Sequence, residues 1–392
     1  MILSLRLKNF FSLRDEAVLD FTADRSARKT QDYLPENLIE FSGDKFVNII
    51  GLFGSNAAGK SNIIKAIDFC RKLILTSHLN NEGDVFDFEA FKFLPDQPSE
   101  FYINFVTEGK EYEYSFVLDS EKIISENLYH YPNKRRARIF SRENTYSFIH
   151  GKGAMSRPVE IESNTGSKTL FLSRASSMNR PIAQLIYRFF LNEVTVGIGA
   201  LDFSKLTRDK LEANKDLLLK AFEISDSDIV DIKLTEVIPG QLVLQSFHRE
   251  NPNIAFDFER EESDGTKRLL FILLTILQKS LAGMTIFLDE FDLKLHLRLA
   301  EFLLDVIRAS RGAQFVFTSH NAMLIDTDKL RREQIVFVNK LDDGNSEFVP
   351  LSDYEGLSKS TDIRKAYLQG RFDAVPYICN NFEILSELLI TK

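Results

Sequence analysis

Residues 54–61, GSNAAGKS, constrain the fold more than any other part of the chain. They match G-x-x-x-x-G-K-[ST] in full. Glycines let such a loop curl until successive backbone N–H groups point inward, an arrangement suited to phosphate oxygens. The loop works only between a buried strand and a helix, so its flanks test the match. Before it, residues 45–51 (KFVNIIG) form a short apolar run ending in Gly, the pattern of a buried central strand. After it, residues 62–76 carry Ile63, Ile64, Ile67 and Leu73 at helical spacing. The order strand, Gly loop, helix predicts an α/β P-loop fold. In it Lys60 reaches β- and γ-phosphates, and the Ser61 hydroxyl ligates Mg²⁺.

The rest of the chain supplies elements around that unit. Residues 2–7 alternate and read as a strand, paired with a second at 18–21 through a turn at 9–15. Between 86 and 148 the period is two: FYINFV, YEYSFVL, ENLYHY and ARIFSR predict an antiparallel meander. Residues 169–222 read as helical, with Leu185, Ile186, Phe189 and Phe190 on one face. A strand-rich stretch at 229–244 follows, then a helix at 266–280, a strand at 285–288, a helix at 293–309 and a strand at 314–318. The expected organisation is an ATPase domain in two parts, 1–150 and 226–340. A helical insertion lies between them at 151–225, and a tail segment follows at 341–392.

Two later strands end in chemistry. TIFL at 285–288 runs into Asp289 and Glu290. Paired carboxylates at a buried strand end carry a desolvation cost that a bound cation offsets. Asp289 is therefore expected to hold Mg²⁺, and Glu290 to act as general base on an attacking water. FVFTS at 315–319 ends in His320, one helix after the acidic strand, which reads as a γ-phosphate sensor. His78, His130, His150, His248 and His296 form no metal spacing and read as structural. Ser263, Gly265 and Thr266 open the helix before the acidic strand, where a hydroxyl, free N–H groups and the helix dipole suit an anion.

Composition excludes some partners. A net charge of −8 and a pI near 5.5 argue against a DNA-coating protein. Lys134, Arg135, Arg136 and Arg138 with Arg142 are the local basic cluster to weigh against that. Cys70 and Cys379 lie far apart without metal-ligand spacing and read as reduced thiols. The first twenty residues lack the apolar core of a signal peptide, and the apolar run 269–277 is too short to span a bilayer. A cytoplasmic protein without membrane contact is expected.

Taken together, phosphate loop, Ser263 loop, acidic strand and His320 resemble an ABC-type ATPase head of the SMC/RecF class. The opening LSLRLKNFFSLRDEAVLDF, with Asn9-Phe10, is similar to the first strands of that class. Residues 367–376 (YLQGRFDAVP), 126–142 and 169–179 resemble stand-alone bacterial AAA family ATPases of the RloA-like, abortive-infection kind. The resemblance implies an α/β head with a mixed central sheet, an antiparallel β subdomain and an inserted helical lobe. It also implies ATP and Mg²⁺, with nucleotide contacts across residues 54–61 (Gly54, Ser55, Asn56, Ala57, Ala58, Gly59, Lys60, Ser61), at Asn62, and at the signature residues Ser263, Gly265 and Thr266. The signature loop of one subunit would then meet the nucleotide on Lys60 of another, in a twofold homodimer that is open to higher assembly. Asp292 matches the loop lining that interface.

Three departures from the class stand out. Glu262 precedes Ser263 where Leu is usual, Leu297 follows His296 where Pro is common, and the glutamine that couples Mg²⁺ to the neighbouring lobe has only Gln97 as a candidate. The resemblance implies the ATPase component of a prokaryotic anti-phage system that acts on a separately encoded effector, a nuclease or toxin. OLD-type relatives carry a Toprim nuclease, whereas about seventy residues follow His320 here, so intrinsic nuclease activity is not expected. The alternative is a RecF-like DNA-binding repair ATPase, for which nucleic acid is the partner. The lobe at 151–225 is expected to dock a partner.

Overall fold

A computed structural model of the protein describes residues 1–23, 33–87, 89–197, 206–238, 241–276, 283–310, 312–358 and 360–376. In chain order its strands are β1 (Ile2–Lys8), β2 (Ala17–Asp20), β3 (Leu38–Phe41), β4 (Asp44–Val47), β5 (Ile49–Phe53), β6 (Ser99–Thr107), β7 (Lys110–Leu118), β8 (Ile123–His130) and β9 (Ala137–Glu143). They continue with β10 (Ser147–His150), β11 (Val194–Gly197), β12 (Ile229–Ile238), β13 (Gln241–His248), β14 (Ala255–Asp257), β15 (Thr285–Leu288), β16 (Gln314–Ser319), β17 (Ile335–Lys340) and β18 (Ser346–Pro350). The helices are α1 (Lys60–Thr76), α2 (Pro158–Ser163), α3 (Phe171–Ser177), α4 (Pro181–Arg188), α5 (Arg208–Ile224), α6 (Phe258–Glu261), α7 (Asp264–Ile276), α8 (Leu297–Ala309) and α9 (Ile363–Leu368).

Two large sheets organise these elements. The expected meander is present as an antiparallel sheet ordered β10-β9-β8-β7-β6-β1-β2. The central sheet runs β11-β15-β16-β5-β17-β18; its first five strands pair in parallel, and β18 closes the edge antiparallel to β17. Gln314 joins the two sheets: its amide nitrogen donates to the Ile2 carbonyl at 2.8 Å and its oxygen accepts from Ile2 N at 2.7 Å.

Alternation along the central strands explains how both faces are covered. Ile50, Leu52, Phe287, Val316, Val336 and Val338 enter the core shared with α1, α3, α4 and the antiparallel sheet. Their neighbours Ile49, Phe53, Ile286, Leu288, Phe315, Phe317 and Phe337 enter a second core with α7, α8 and α9. Side chains of successive strand residues point to opposite faces, so near-continuous apolar strands mark a sheet covered on both sides. From the tail segment Leu351, Ile363, Ala366, Tyr367, Phe372 and Ala374 enter the second core, where Phe372 stacks on Phe337 with centroids 4.5 Å apart.

Three expectations need adjustment. The run 45–51 is two strands, not one: Asn48 leaves the ladder, donates its amide to the Glu36 carbonyl at 3.1 Å, and separates β4 from β5. Residues 169–222 are not wholly helical, because 194–197 form β11, a parallel edge strand against β15. The helix expected from 293 starts at Leu297, since Lys294 sits at φ 61° in a preceding turn. Among the described residues no helix is long and apolar enough to cross a membrane. Cys70 is free and buried in α1, and Cys379 lies outside the described residues.

Candidate nucleotide-binding site

The loop after β5 leaves the middle of the parallel sheet at the carboxyl ends of its strands, where open α/β sheets bind ligands. Local geometry explains its two glycines. A Cβ on Gly54 would strike the Val338 carbonyl oxygen of β17. Gly59 stands at φ 101° as the N-cap of α1, and a Cβ there would collide with the Ser346 and Ser12 hydroxyls. Those two hydroxyls brace the loop from outside. They lie 2.6 Å apart; Asn62 donates to Ser12 Oγ at 2.6 Å, and Ser346 Oγ donates to the Ala58 carbonyl at 2.6 Å.

Lys60 is 4% exposed at the start of α1. Its ammonium donates to the Gly54 carbonyl at 2.9 Å and the Ser55 carbonyl at 2.8 Å, and lies 3.0 Å from His320 Nδ1. Burial lowers its pKa to about 8, against the opposing pull of Asp289, Glu290 and Asp292. Partial burial, and then the Lys60 charge, also lower the His320 pKa. A neutral ring that accepts from Lys60 at Nδ1 carries its proton on Nε2. Gly54 O, 3.2 Å from Nδ1, is then only a neighbour.

The acidic strand end meets the loop directly. Ser61 Oγ donates to Asp289 Oδ1 at 2.8 Å, and Thr318 Oγ1 donates to the same oxygen at 2.7 Å. Thr318 Oγ1 also accepts from Glu290 N at 2.7 Å, so one hydroxyl orders both acidic residues. Glu290 itself is exposed, with φ 47° where the chain turns off β15. Mg²⁺ fits this donor set. Two cis ligands of an octahedral Mg²⁺ lie about 3.0 Å apart, given metal–oxygen distances of about 2.1 Å. Ser61 Oγ and Asp289 Oδ1 already stand at 2.8 Å. Among the described residues no group of three or more His, Cys, Asp or Glu is arranged to hold a metal ion, and a metal held by one Ser, one Asp and substrate phosphates needs none.

Ser263 caps α7, with its hydroxyl accepting from Thr266 N at 3.0 Å and lying 2.8 Å from Thr266 Oγ1. Gly265 sits in the first turn of that helix, and Asp264 pairs with Lys294 at 2.7 Å. Ser263 is exposed, and its hydroxyl bonds to Thr266 stay within its own turn. Asp292 is half-buried and lies close enough to act on both Lys60 and His320. Gln97 is exposed, and its backbone carbonyl receives the Asn9 amide at 2.6 Å. It is thus part of the platform holding Asn9.

Sequence reasoning overlooked four contributors. Thr318 was hidden because a strand-terminal Thr gives no signal by itself. Ser12 and Ser346 come from opposite ends of the chain, and no local spacing connects them. Arg268 is the fourth: its guanidinium donates to the carbonyls of Asp289 at 2.6 Å and Glu290 at 2.7 Å, tying α7 to the acidic strand end.

The basic cluster loses one member in the structure: Lys134, Arg135, Arg136 and Arg138 are exposed, and Arg142 is not. Arg142 is fully buried and donates to the carbonyls of Thr145 at 2.5 Å, Thr169 at 2.6 Å and Gly166 at 3.0 Å, with Glu126 at 3.9 Å. It is a core residue and cannot touch a phosphate backbone. Arg136 forks onto Glu113 and lies over the Tyr129 ring at 3.6 Å; Lys134 donates to the Ser42 carbonyl at 2.9 Å. Asp326 pairs with Arg364 at 2.7 Å, which closes the turn after the His320 strand.

These features have counterparts in a known family. The profile of the family described as "AAA domain, putative AbiEii toxin, Type IV TA system" matches residues 49–147 and 162–326. Those stretches make up more than half of the chain and contain the phosphate loop, Ser263, Asp289, Glu290 and His320. The chain belongs to this AAA family. No curated protein matches it. Among solved structures it is similar to an SMC head bound to the C-winged helix domain of ScpA, at 16% identity over 92% of this chain and 98% of that one, with a TM-score of 0.46. It is also similar to the SMC head domain from Thermotoga maritima, at 14% identity over 89% and 98%, with a TM-score of 0.41. The AAA-family ATPase fold has the expected mixed central sheet and antiparallel β subdomain, and the described residues of the inserted stretch hold the helices α2 to α5 and the strand β11.

Proposed function

We propose that the chain is a dimeric, Mg²⁺-dependent ABC-type ATPase and the ATP-driven component of a prokaryotic abortive-infection system, acting on a separately encoded effector. The observation that carries the ATPase reading is the contact of Ser61 with Asp289 at 2.8 Å, locked by Thr318. Loop N–H groups and Lys60 bind the phosphates, and Ser61 with Asp289 would hold Mg²⁺. The metal, when bound, neutralises charge developing on the phosphate oxygens. Glu290 accepts the proton of the attacking water as that oxygen bonds to the γ-phosphorus, and ADP departs. Neutral His320 offers its Nε2–H to the γ-phosphate.

The exposed Ser263 turn supports a second copy as the missing half of the site. Ser263 and the amino end of α7 form a donor-rich surface suited to the γ-phosphate held on another subunit. The family description supports the defence setting, since it names AbiEii toxins and a toxin–antitoxin system. For the DNA-repair alternative, Arg142 is buried and Arg136 is paired with Glu113, which leaves Lys134, Arg135 and Arg138 as the exposed cations that favour it.

The test is sizing of the Glu290→Gln protein with and without Mg-ATP. A shift from monomer to dimer that needs both Mg²⁺ and an intact Lys60 is expected. A protein that stays monomeric at saturating Mg-ATP refutes the sandwich.

A further inference from the structure

Glu262 stands where the class usually has Leu, immediately before Ser263, and its side chain is 10% exposed. Leu in that place would dock by apolar contact. A carboxylate buried there requires partners, and the small sheet β12-β13-β14 supplies them. Ser246 Oγ donates to Glu262 Oε1 at 2.5 Å, and His248 Nε2 lies 2.8 Å from the same oxygen. The other ring nitrogen, Nδ1, lies 3.0 Å from Asp228 Oδ1. Phe256 of β14 meets the imidazole edge-on at 4.6 Å.

Only a doubly protonated imidazole donates to two carboxylates at once. The charged groups facing the ring are Asp228, from the turn before β12, and Glu262, from the turn before α7. From its own strand comes the Ser246 hydroxyl, and from β14 the Phe256 ring. Burial opposes the charge, but the bonds to Asp228 and Glu262 outweigh it and raise the pKa of His248. The turn of Ser263 is therefore anchored at both ends. Upstream it hangs from the three-stranded sheet through Glu262, and downstream Arg268 fastens α7 to the acidic strand end.

We propose that His248 is a positioning residue for ATP hydrolysis: through Glu262 it sets the Ser263 turn in the attitude that meets the nucleotide bound to a second copy of the chain. The inference rests on the dimer reading above. It places the three-stranded sheet in mechanical continuity with the reaction, and it makes the trans half of the site, but not the Lys60 half, sensitive to the charge on one imidazole.

The test compares His248→Gln and Glu262→Gln, each combined with Glu290→Gln, with Glu290→Gln alone. A fluorescent ATP analogue reports binding to the monomer, and sedimentation with Mg-ATP reports dimer formation. Expected are nucleotide affinities within about twofold of the parent and dimer dissociation constants about tenfold higher. With Glu290 restored, turnover at saturating ATP falls about tenfold while KM holds. At saturating Mg-ATP, where the Lys60 half stays loaded, the parent dimer weakens as pH rises above the ordinary imidazole range and the ring loses its charge, and His248→Gln removes that trend. Equal dimerisation in all variants, or a pH trend at saturating Mg-ATP that survives His248→Gln, overturns the latch while leaving the dimer intact. If Glu290→Gln alone fails to dimerise, the dimer reading itself falls and takes the latch with it. Should thermal melting show either latch variant unfolded, Asp228→Asn at an exposed carboxylate and the pH series on the unaltered latch decide the matter.

Discussion

Two buried cations, Lys60 beside the central sheet and Arg142 inside the antiparallel sheet, look alike by burial and differ in everything else. Each donates to backbone carbonyls. Arg142 is saturated: three carbonyls and the Glu126 carboxylate surround it, and Glu126 in turn accepts from Phe171 N at 2.6 Å, Leu172 N at 2.9 Å and the Tyr114 hydroxyl at 2.8 Å. Every donor in that network closes on the protein itself. Lys60 has two carbonyls of its own loop and a neutral imidazole, in the field of Asp289, Glu290 and Asp292. A charge enclosed by fixed partners holds a fold together. One held by a loop's own carbonyls beside a hydroxyl–carboxylate pair is placed for a ligand.

The comparison can be broken in three ways, beginning with the largest effect. Lys60→Ala is expected to lower ATP turnover by on the order of a hundredfold or more while leaving the melting temperature near its parent value, as measured by phosphate release and calorimetry. A large loss of stability would place Lys60 with Arg142. Arg142→Met is expected to do the reverse. It leaves Glu126 buried without its counter-charge and costs about 3–5 kcal/mol in denaturant unfolding, while the folded fraction binds nucleotide normally. Adding Glu126→Gln should restore part of that loss. The smallest effect is in pH. With its pKa lowered to about 8, Lys60 is charged below that value and neutral above it in the free protein. Nucleotide affinity should therefore be flat below about pH 7 and weaken about fourfold by about pH 8.5, and Lys60→Arg should remove that slope.

What the sequence discloses follows the range of the forces involved. The phosphate loop, the meander and the acidic strand are local patterns: a spacing, a period of two, an apolar run with a polar end. Each is legible because neighbours in the chain make it. Asn48 breaks an apolar run through a bond to Glu36, and residues 194–197 become a strand only because β15 offers an open edge. Thr318, Ser12, Ser346 and Arg268 join the site through partners twenty to three hundred residues away. His248, read as structural, meets Glu262 across a hairpin that no periodicity reports.

The edge strand β11 has a practical consequence for dissecting the molecule. It lies inside the stretch 151–225 yet pairs along its whole length with β15, whose next residue is Asp289. Asp289 N even returns a hydrogen bond to the Gly197 carbonyl at 3.1 Å. Excising the stretch as though it were an appendage would strip a rail from the sheet that carries the acidic pair. A deletion that stops before Val194 would still take α3 and α4 out of the core they share with α1, so substitutions at exposed positions of the stretch, not excision, are the way to ask whether it docks a partner.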